Sequence, residues 1–176
     1  LDLLGYVERR IDDLSALDEA LAIYTELGDL HGQATVHIHY STRYNTLSDP
    51  IKEIAHQRIA IDLFERNGDK GEAAHWLNSL GESYRILGHP STALEYHLQV
   101  LPVLQAMQDS TEIAFTYILI GAVHRATQQW SGALSRFHIA RGKYEELHDP
   151  LGTAMAYNDL GPAWFGKGDL DSALFW

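Results

Sequence analysis

The sequence has no cysteine among its 176 residues. Disulfide bonds and metal sites with thiolate ligands are therefore excluded, and the absence favours a cytoplasmic location. Basic residues are also scarce: 13 lysines and arginines stand against 24 aspartates and glutamates, giving a net charge of −11. Such a charge repels phosphate backbones and anionic lipid surfaces, so we expect no direct binding to nucleic acid or to membranes. No apolar run approaches the roughly 18 residues of a membrane-spanning helix.

Sequence motifs for catalysis are missing as well. There is no glycine-rich phosphate loop, no Gly-x-Ser-x-Gly elbow and no histidine pair at i, i+4. Two Glu-x-x-His segments, Glu53–His56 and Glu72–His75, have the spacing used in di-iron bundles. They begin consecutive predicted antiparallel helices, so they should lie on the order of 20–25 Å apart and cannot share a metal. We expect no enzymatic activity, no cofactor and no metal site, and we assign His97 and His124 to packing positions.

What the sequence does contain is self-similarity at a step of forty positions. Gly81 recurs as Gly121 and Gly161, and Ala93 recurs as Ala133 and Ala173. A fixed period of this length is the signature of a repeat array. The same step connects a series of aspartates that precede predicted helices: Asp29, Asp69, Asp109 and Asp149.

The repeat unit reads as two helices. Each aspartate of the series is a predicted helix N-cap, supported by Glu72 and Glu112 as capping-box partners and by Pro150 at a first helical position. An amphipathic helix with Ile11, Leu14, Leu17, Leu21, Tyr24 and Leu27 on its apolar face precedes Gly28. The remaining helices are predicted near 30–46, 50–67, 70–87, 90–107, 110–127, 130–147, 150–167 and 170–176. Connections of two or three residues make neighbours antiparallel.

The small residues and the prolines in the sequence predict how the helices pack and where they bend. A glycine inside a helix costs about 1 kcal/mol relative to alanine, so its repetition indicates that a facing helix comes close, with the repeated alanines as the small partner surface. Pro102 and Pro162 fall inside predicted helices and should kink them. The kinks are either tolerated adjustments of curvature or bends that shape a binding groove.

These residues resemble the tetratricopeptide repeat, in which a large residue, Leu-Gly, Tyr, Ala and an aromatic follow in order. The match lies on Leu80-Gly81, Tyr84 and Ala93, then on Ile120-Gly121 and Ala133, and then on Leu160-Gly161, Trp164 and Ala173. The 40-residue period resembles the variant found in kinesin light chains and in bacterial regulator and sensor proteins. The resemblance implies an all-α, right-handed superhelical solenoid of about four repeats plus a partial leading one, as a single array over 1–176 (partial repeat 1–28; full repeats 29–68, 69–108 and 109–148; truncated repeat 149–176).

The resemblance also implies a function, the binding of a protein or peptide partner in the concave groove lined by the first helices. Asn78 and Asn158 occupy equivalent positions, where related arrays bond a peptide backbone; solvated polar residues are the alternative. Arg85 and Arg125 are likewise equivalent and could contact acidic groups. The full set of candidate ligand-binding residues is Asn78, Asn158, Arg85, Arg125, Glu82, His39, Asn45, His75 and Asp159. The denser Lys/Asn clamp that some arrays use for a terminal carboxylate is not present.

Two further functions stay open at this point. The chain begins at Leu1 rather than at methionine and ends at Trp176 in an apolar run, so we expect a part of a longer protein. Its last helix could stack on a second copy to form a homo-oligomer. Alternatively, the chain is the sensory region of a multidomain transcriptional regulator or cyclase. The acidic start, with Asp12, Asp13, Asp18 and Glu19, is either a solvated face or a docking surface for a basic partner.

Overall fold

The computed structural model describes residues 14–175, which form nine α-helices and no strand. The helices are α1 (Leu14–Glu26), α2 (Leu30–Thr46), α3 (Pro50–Asn67), α4 (Lys70–Ile86), α5 (Pro90–Met107), α6 (Ser110–Ala126), α7 (Trp130–Glu146), α8 (Pro150–Lys167) and α9 (Leu170–Phe175). The predicted all-α class and the predicted helix bounds are confirmed to within one or two residues. The predicted apolar position at Ile11 and the acidic positions Asp12 and Asp13 lie outside the described residues.

Contacts divide the chain into two compact units, Leu1–Trp76 and Leu77–Trp176, of which residues 14–76 and 77–175 are described. They are called unit 1 and unit 2 below. The boundary falls inside α4, between Trp76 and Leu77. The single array of 40-residue repeats therefore stays a prediction, and each unit is considered by itself.

Consecutive helices pair as antiparallel hairpins within each unit. In unit 1 the Tyr24 ring lies against Gly32 and the Tyr40 hydroxyl donates to Asp18, so both contacts are centred on the turn at Gly28. In unit 2 the ring of Phe137 lies against Gly121, a contact centred on the turn after α6. Contacts that widen symmetrically about a short turn define an antiparallel pair, as the short connections predicted.

Every helix from α1 to α8 is followed, one or two residues after its last residue, by a residue with left-handed backbone. These residues recur every 20 positions. Four are glycines and four are not; they are Gly28, Ser48, Gly68, Gly88, Gln108, Gln128, His148 and Gly168, with φ between 55° and 87°. At each of them the next residue's amide donates to a carbonyl five residues earlier, which closes the helix end. The 40-residue period of the sequence is therefore a 20-residue period of helix ends.

Most of the predicted aspartate caps form hydrogen bonds to the start of the helix that follows the turn. The side chains of Asp29, Asp109 and Asp149 each accept a hydrogen bond from the backbone amide three residues on, at 2.8–3.0 Å. The backbone amide of Asp109 donates to the carbonyl of Leu104. The Asp69 carboxylate accepts from Asn67 at 2.8 Å and lies 2.7 Å from Nδ1 of His31.

The cores of the two units are built from the faces that the repeat predicts. In unit 1, Leu17, Val36 and Tyr40 belong to one buried cluster and Ala60 and Phe64 to a second. Leu27, the last predicted apolar position of α1, is exposed, because α1 ends one residue before it. In unit 2 one cluster joins α6, α7 and α8, with these buried members: Ala114, Ile118, Ala133, Leu134, Phe137, Ala140, Tyr144, Ala156, Leu160 and Ala163.

Two of the repeated glycines, Gly81 and Gly121, lie against aromatic rings, which the packing prediction did not include. A methyl group on Gly81 would lie 2.6 Å from Cε1 of the His97 ring, and one on Gly121 would overlap the Phe137 ring. Ala93 and Ala133 are fully buried four residues earlier on the same facing helices. The facing helix thus lies close to each of these glycines, and the flat ring of one of its side chains packs against the glycine.

The two internal prolines are accommodated without breaking their helices. Pro102 lies inside α5 and Pro162 inside α8, and both helices run through them. Both rings are exposed. A role of these prolines in shaping a groove stays a prediction.

Candidate partner-binding site

Four of the predicted ligand-binding side chains meet in unit 2, although they come from three different helices. Glu82 and Arg85 lie on α4, Arg125 on α6 and Asp159 on α8. Nη2 of Arg125 is 3.4 Å from Oδ1 of Asp159, and Asp159 also interacts electrostatically with Arg85. We call this group the arginine–carboxylate cluster. Its members stand on the first helices of their hairpins, where the resemblance placed the binding surface.

The two arginines of the arginine–carboxylate cluster are paired very differently. Arg85 makes a two-pronged contact with Glu82: Nε donates to one carboxylate oxygen at 2.8 Å and Nη2 donates to the other at 2.5 Å. Arg125 has one long ion pair of 3.4 Å with Asp159. Its Nε is buried and has no hydrogen-bond partner among the described residues. Because a guanidinium has five N–H donors, Arg125 retains most of its binding capacity.

Asp159 is held in an environment that disfavours its charge. Burial raises the pKa of Asp159, while the attraction of Arg125 and Arg85 opposes that rise. The hydrogen bonds to Glu82, by contrast, raise the pKa of Arg85. The Arg125–Asp159 pair is therefore the weaker of the two ion pairs and the one that a competing group can replace most easily.

Asn78 lies in the core rather than on the surface. Its side chain is 1% exposed; its Nδ2 donates to Thr116 Oγ1 at 2.8 Å, and its Oδ1 lies 3.1 Å from Nδ1 of His97. Since the amide oxygen accepts, Nδ1 of His97 carries the proton. A direct contact of Asn78 with a partner would require both bonds to break, so its binding role stays a prediction without support from this geometry.

His97 is fully buried, as its packing position predicted. Burial lowers its pKa to about 4, Arg85 adds to the lowering and Glu82 opposes it. Its Nε2 is buried and has no hydrogen-bond partner among residues 14–175. In the hairpin α4–α5, the neutral imidazole of His97 thus occupies the position that Phe137 occupies in the hairpin α6–α7. This imidazole links α4 to α5.

The other predicted site residues are spread over the chain. Asn158 is exposed on α8, so the equivalence with Asn78 holds in sequence but not in burial. In unit 1, Asn45 donates to Oε2 of Glu53 at 3.1 Å, His75 packs edge-on against Trp76 at 5.5 Å between ring centroids, and His39 is half-buried. These contacts leave the ligand-binding roles of Asn45, His75, His39 and Asn158 as predictions.

Unit 1 contains a stack of rings that the sequence did not indicate. Nδ1 of His37 is 2.9 Å from Nδ1 of His56, and the His56 ring lies 4.7 Å from Tyr40 and 5.3 Å from Tyr44 between centroids. Burial and the neighbouring His56 lower the pKa of His37 to about 4, and burial with Lys52 lowers that of His56. The only sequence signal for this pair was that the two histidines flank one predicted hairpin turn.

A second surface feature of unit 2 is a shallow recess of about 490 Å³ between the end of α7 and the start of α8. Several of its polar groups have partners within the chain. Asp149 caps α8, and the Tyr157 hydroxyl donates to Glu145 at 3.4 Å.

Metal-binding and membrane-spanning features are not found in the described part of the chain. No group of three or more histidine, aspartate or glutamate side chains in residues 14–175 is arranged to hold a metal ion. Across the same residues, no helix has both the length and the hydropathy to cross a membrane.

Comparison with known proteins shows the fold. No family model matches the chain. RapI in its apo form has a TM-score of 0.84 at 16% identity, over 97% of this chain and 64% of RapI. The nearly identical TPR-like repeats of a putative kinesin light chain from Podospora anserina have a TM-score of 0.74 at 13% identity, over 97% of this chain and 83% of theirs. The chain has a tetratricopeptide-like repeat fold.

Two more proteins are similar to this tetratricopeptide-like chain. A Rap protein complexed with competence and sporulation factor has a TM-score of 0.75 at 16% identity, over 97% of this chain and 49% of the Rap chain. A Tonsoku-like protein of Mus musculus is 28% identical over 128 residues, which are 72% of this chain and 9% of that protein. At these identities the structural likeness concerns the fold alone.

Proposed function

We propose that this chain is a binding module for a protein or peptide segment, and that the partner contacts the first helices of unit 2 at the arginine–carboxylate cluster. The observation that carries this proposal is that Glu82, Arg85, Arg125 and Asp159 come together from three helices. Charged groups gathered on one face, with donors still unused, can form charge-assisted hydrogen bonds to a partner. Fold alone does not give function, so the proposal rests on this cluster.

The similar folds add support of a second kind. A Rap protein of similar fold forms a complex with competence and sporulation factor. Repeat proteins of stacked helices bind partners along the extended surface formed by equivalent helices. Phe165, in the same repeat position as Arg85 and Arg125, is 67% exposed and offers the partner an apolar contact beside the charges.

The test is a selection from a random library of short peptides, acetylated and amidated at their ends, followed by calorimetry with the best binder. We expect Arg125→Ala to weaken binding at least about tenfold, the equivalent of roughly 1.4 kcal/mol. Arg66→Ala is the control for loss of one arginine, because Arg66 forms an exposed pair with Asp62 at 3.2 Å on the second helix α3. Helix content by circular dichroism should be the same in both variants.

The contrary result is equally clear. If no library peptide binds, or if the best binder is as tight with Arg125→Ala and Arg85→Ala as with the parent chain, the cluster is not the binding surface. Asn158→Ala then tests whether any partner uses the exposed amide on α8. Asn78→Ala is not a suitable probe, because it would also remove two buried hydrogen bonds.

Self-association through the last helix is the second candidate. The observation in its favour is that α9 has no buried residue and that Leu174 and Phe175 are 88% and 78% exposed. Light scattering at low and high concentration tests it. A mass that stays at 19.8 kDa contradicts self-association, and a mass that rises with concentration and falls back in Leu174→Glu supports it.

A further inference from the structure

Arg125 and Arg85 are chemically identical and occupy equivalent repeat positions, yet they are not equally available to a partner. The Arg85 guanidinium meets both oxygens of Glu82, in the bidentate geometry that gives the strongest arginine–carboxylate pairs. Arg125 has a single long contact to one oxygen of Asp159. Displacing Glu82 from Arg85 therefore costs two short charge-assisted bonds, whereas displacing Asp159 from Arg125 costs one weak pair.

The surroundings of Arg125 also show what chemistry is missing. Its Nε is buried without a hydrogen-bond partner among the described residues, although the side chain as a whole is 39% exposed. A buried donor without a partner is destabilising. Since Nε does not reach solvent, an entering group meets the terminal nitrogens of the guanidinium. The two coplanar acceptor oxygens of a carboxylate match that planar fork.

Asp159 supplies the same chemistry from inside the chain, but imperfectly. Its carboxylate reaches Arg125 from the neighbouring first helix and stops at 3.4 Å from one nitrogen. Its side chain is only 22% exposed, so water compensates little for this incomplete contact. Asp159 thus occupies the place beside Arg125 that a carboxylate of a binding partner would take.

We infer that the partner of this surface is an acidic peptide segment, and that one of its Asp or Glu side chains displaces Asp159 from Arg125. The inference rests on the proposed binding function and specifies the partner's chemistry at that site. A side-chain carboxylate is favoured over a chain terminus, because this chain lacks the denser set of lysines and asparagines needed to surround a terminal carboxylate.

The net charge of −11 acts against an acidic partner at long range. Physiological salt limits that repulsion to roughly 8–10 Å, whereas a partner in contact with Arg125 is much closer to it. Recognition is therefore a short-range, geometric effect, and it should depend on this one guanidinium more than on the overall charge of the partner.

The experiment compares three libraries of short peptides that are equal in length and identical in design except for the central residue, which is Glu, Gln or Lys. All are acetylated and amidated, so the central side chain is the only fixed difference. We expect the Glu library to bind the parent chain about tenfold more tightly than the Gln library, and the Lys library to bind most weakly. A fourth library with central Gln and a free carboxyl terminus represents a terminal carboxylate.

The variants test the displacement itself. Arg125→Ala should abolish the Glu-over-Gln preference, and Arg125→Lys, which keeps the charge but loses the planar fork, should retain only part of it. Asp159→Asn removes the internal competitor and should raise affinity for the Glu library by about two- to fivefold. Asp62→Asn is the matched control: it makes the same change in net charge and also releases an arginine, Arg66, but on the second helix α3.

Each contrary outcome has a distinct meaning. Equal binding of the Glu and Gln libraries overturns the inference while leaving the binding function intact. So does equal behaviour of Asp159→Asn and Asp62→Asn, or a gain confined to the library with a free carboxyl terminus. Failure of every library to bind removes the proposed function as well. Thermal unfolding of each variant shows that a lost preference is not caused by loss of the fold.

Discussion

The hairpin α2–α3 of unit 1 and the hairpin α6–α7 of unit 2 fill the same repeat positions with opposite chemistry. In α6–α7 the contact is Gly121 against Phe137, with Ala133 beside it, and all three are buried. In α2–α3 the corresponding residues are Ser41, Gln57 and Glu53, which are also buried. One fold position therefore accepts either a ring on a glycine or a set of hydrogen-bonding side chains.

The difference shows what each hairpin depends on. Glu53 accepts from Asn45 at 3.1 Å and from Gln57 at 3.4 Å, so the polar hairpin is held by directional bonds of modest net stability. The apolar hairpin is held by the area that Phe137 buries and by the fit of its ring to the Gly121 backbone. Shape should therefore dominate mutational effects in α6–α7, and bonding partners should dominate them in α2–α3.

The largest expected effect comes from removing the ring. Phe137→Ala leaves a cavity in the largest core of unit 2, and we expect the free energy of unfolding to fall by about 3–5 kcal/mol. Gln57→Ala, at the equivalent position, should cost only about 1 kcal/mol, because Glu53 keeps its bond from Asn45. Urea unfolding followed by circular dichroism measures both, and equal losses would contradict the distinction between the two hairpins.

Filling the glycine should be the next largest effect. Gly121→Ala places a methyl group on the fully buried Phe137 ring, so we expect a loss of about 1–3 kcal/mol. The control is Gly142→Ala in α7, where a methyl group meets nothing within 4 Å and should instead gain up to about 1 kcal/mol. A gain in thermal stability for both variants would show that the Phe137 ring moves to make room for the methyl group.

A lower pH should reduce the free energy of unfolding through the buried histidine His97. Burial lowers the folded-state pKa of His97 to about 4, below its ordinary value of 6.5, so the unfolded chain binds more protons between these values. Stability from this group is therefore present above pH 6.5 and is lost as the pH falls towards 4, by about 2 kcal/mol at pH 5. His97→Gln, which copies Gln57 and can still donate to Asn78, should remove that part of the pH dependence.

Calorimetric scans between pH 7 and pH 5 make the comparison. His37, whose pKa is likewise lowered to about 4 by burial and by His56, should give the His97→Gln variant a residual acid dependence. A pH profile identical to that of the parent chain would show that His97 is not the group that titrates.

The smallest effect concerns the turns that follow the second helices of the hairpins. Gln108 and Gly68 end equivalent helices with φ of 57° and 87°, but only glycine adopts this conformation without strain. Gln108→Gly should raise the free energy of unfolding by about 0.5–1 kcal/mol, and Gly68→Gln should lower it by a similar amount. Changes in the same direction would indicate that local side-chain contacts, not backbone strain, decide these positions.

The helices were predictable because the signals for their ends are local. Each aspartate cap and each turn residue acts on backbone groups within a few positions, so spacing alone placed helix ends such as Thr46 and Lys167. The rings that fill the space beside Gly81 and Gly121 were not predicted, because the alanines on the same facing helix fit a small-residue pattern equally well.

The candidate site was predictable only in part. The repeat step brought Arg85 and Arg125 to one face, but it could not show that one arginine is fully paired and the other is not, since side-chain geometry decides this. The predicted binding role of Asn78 rests on its repeat position beside Leu80-Gly81 and on the donor and acceptor of its amide. The signal against that interpretation was Ile118 at the equivalent position, together with His97 where the next hairpin has Phe137: two polar residues in packing positions of one hairpin can satisfy each other.

The left-handed residues that recur every 20 positions have a consequence for how the length of such a chain can change. Because Ser48, Gly88, Gln128 and Gly168 end their helices in the same backbone conformation, a duplication or deletion of one whole repeat joins two turns of the same kind. The new junction needs no new loop and keeps every helix at its length. Genetic recombination can thus add or remove whole hairpins in one step, and a binding surface carried by equivalent helices can be lengthened or shortened by the same event.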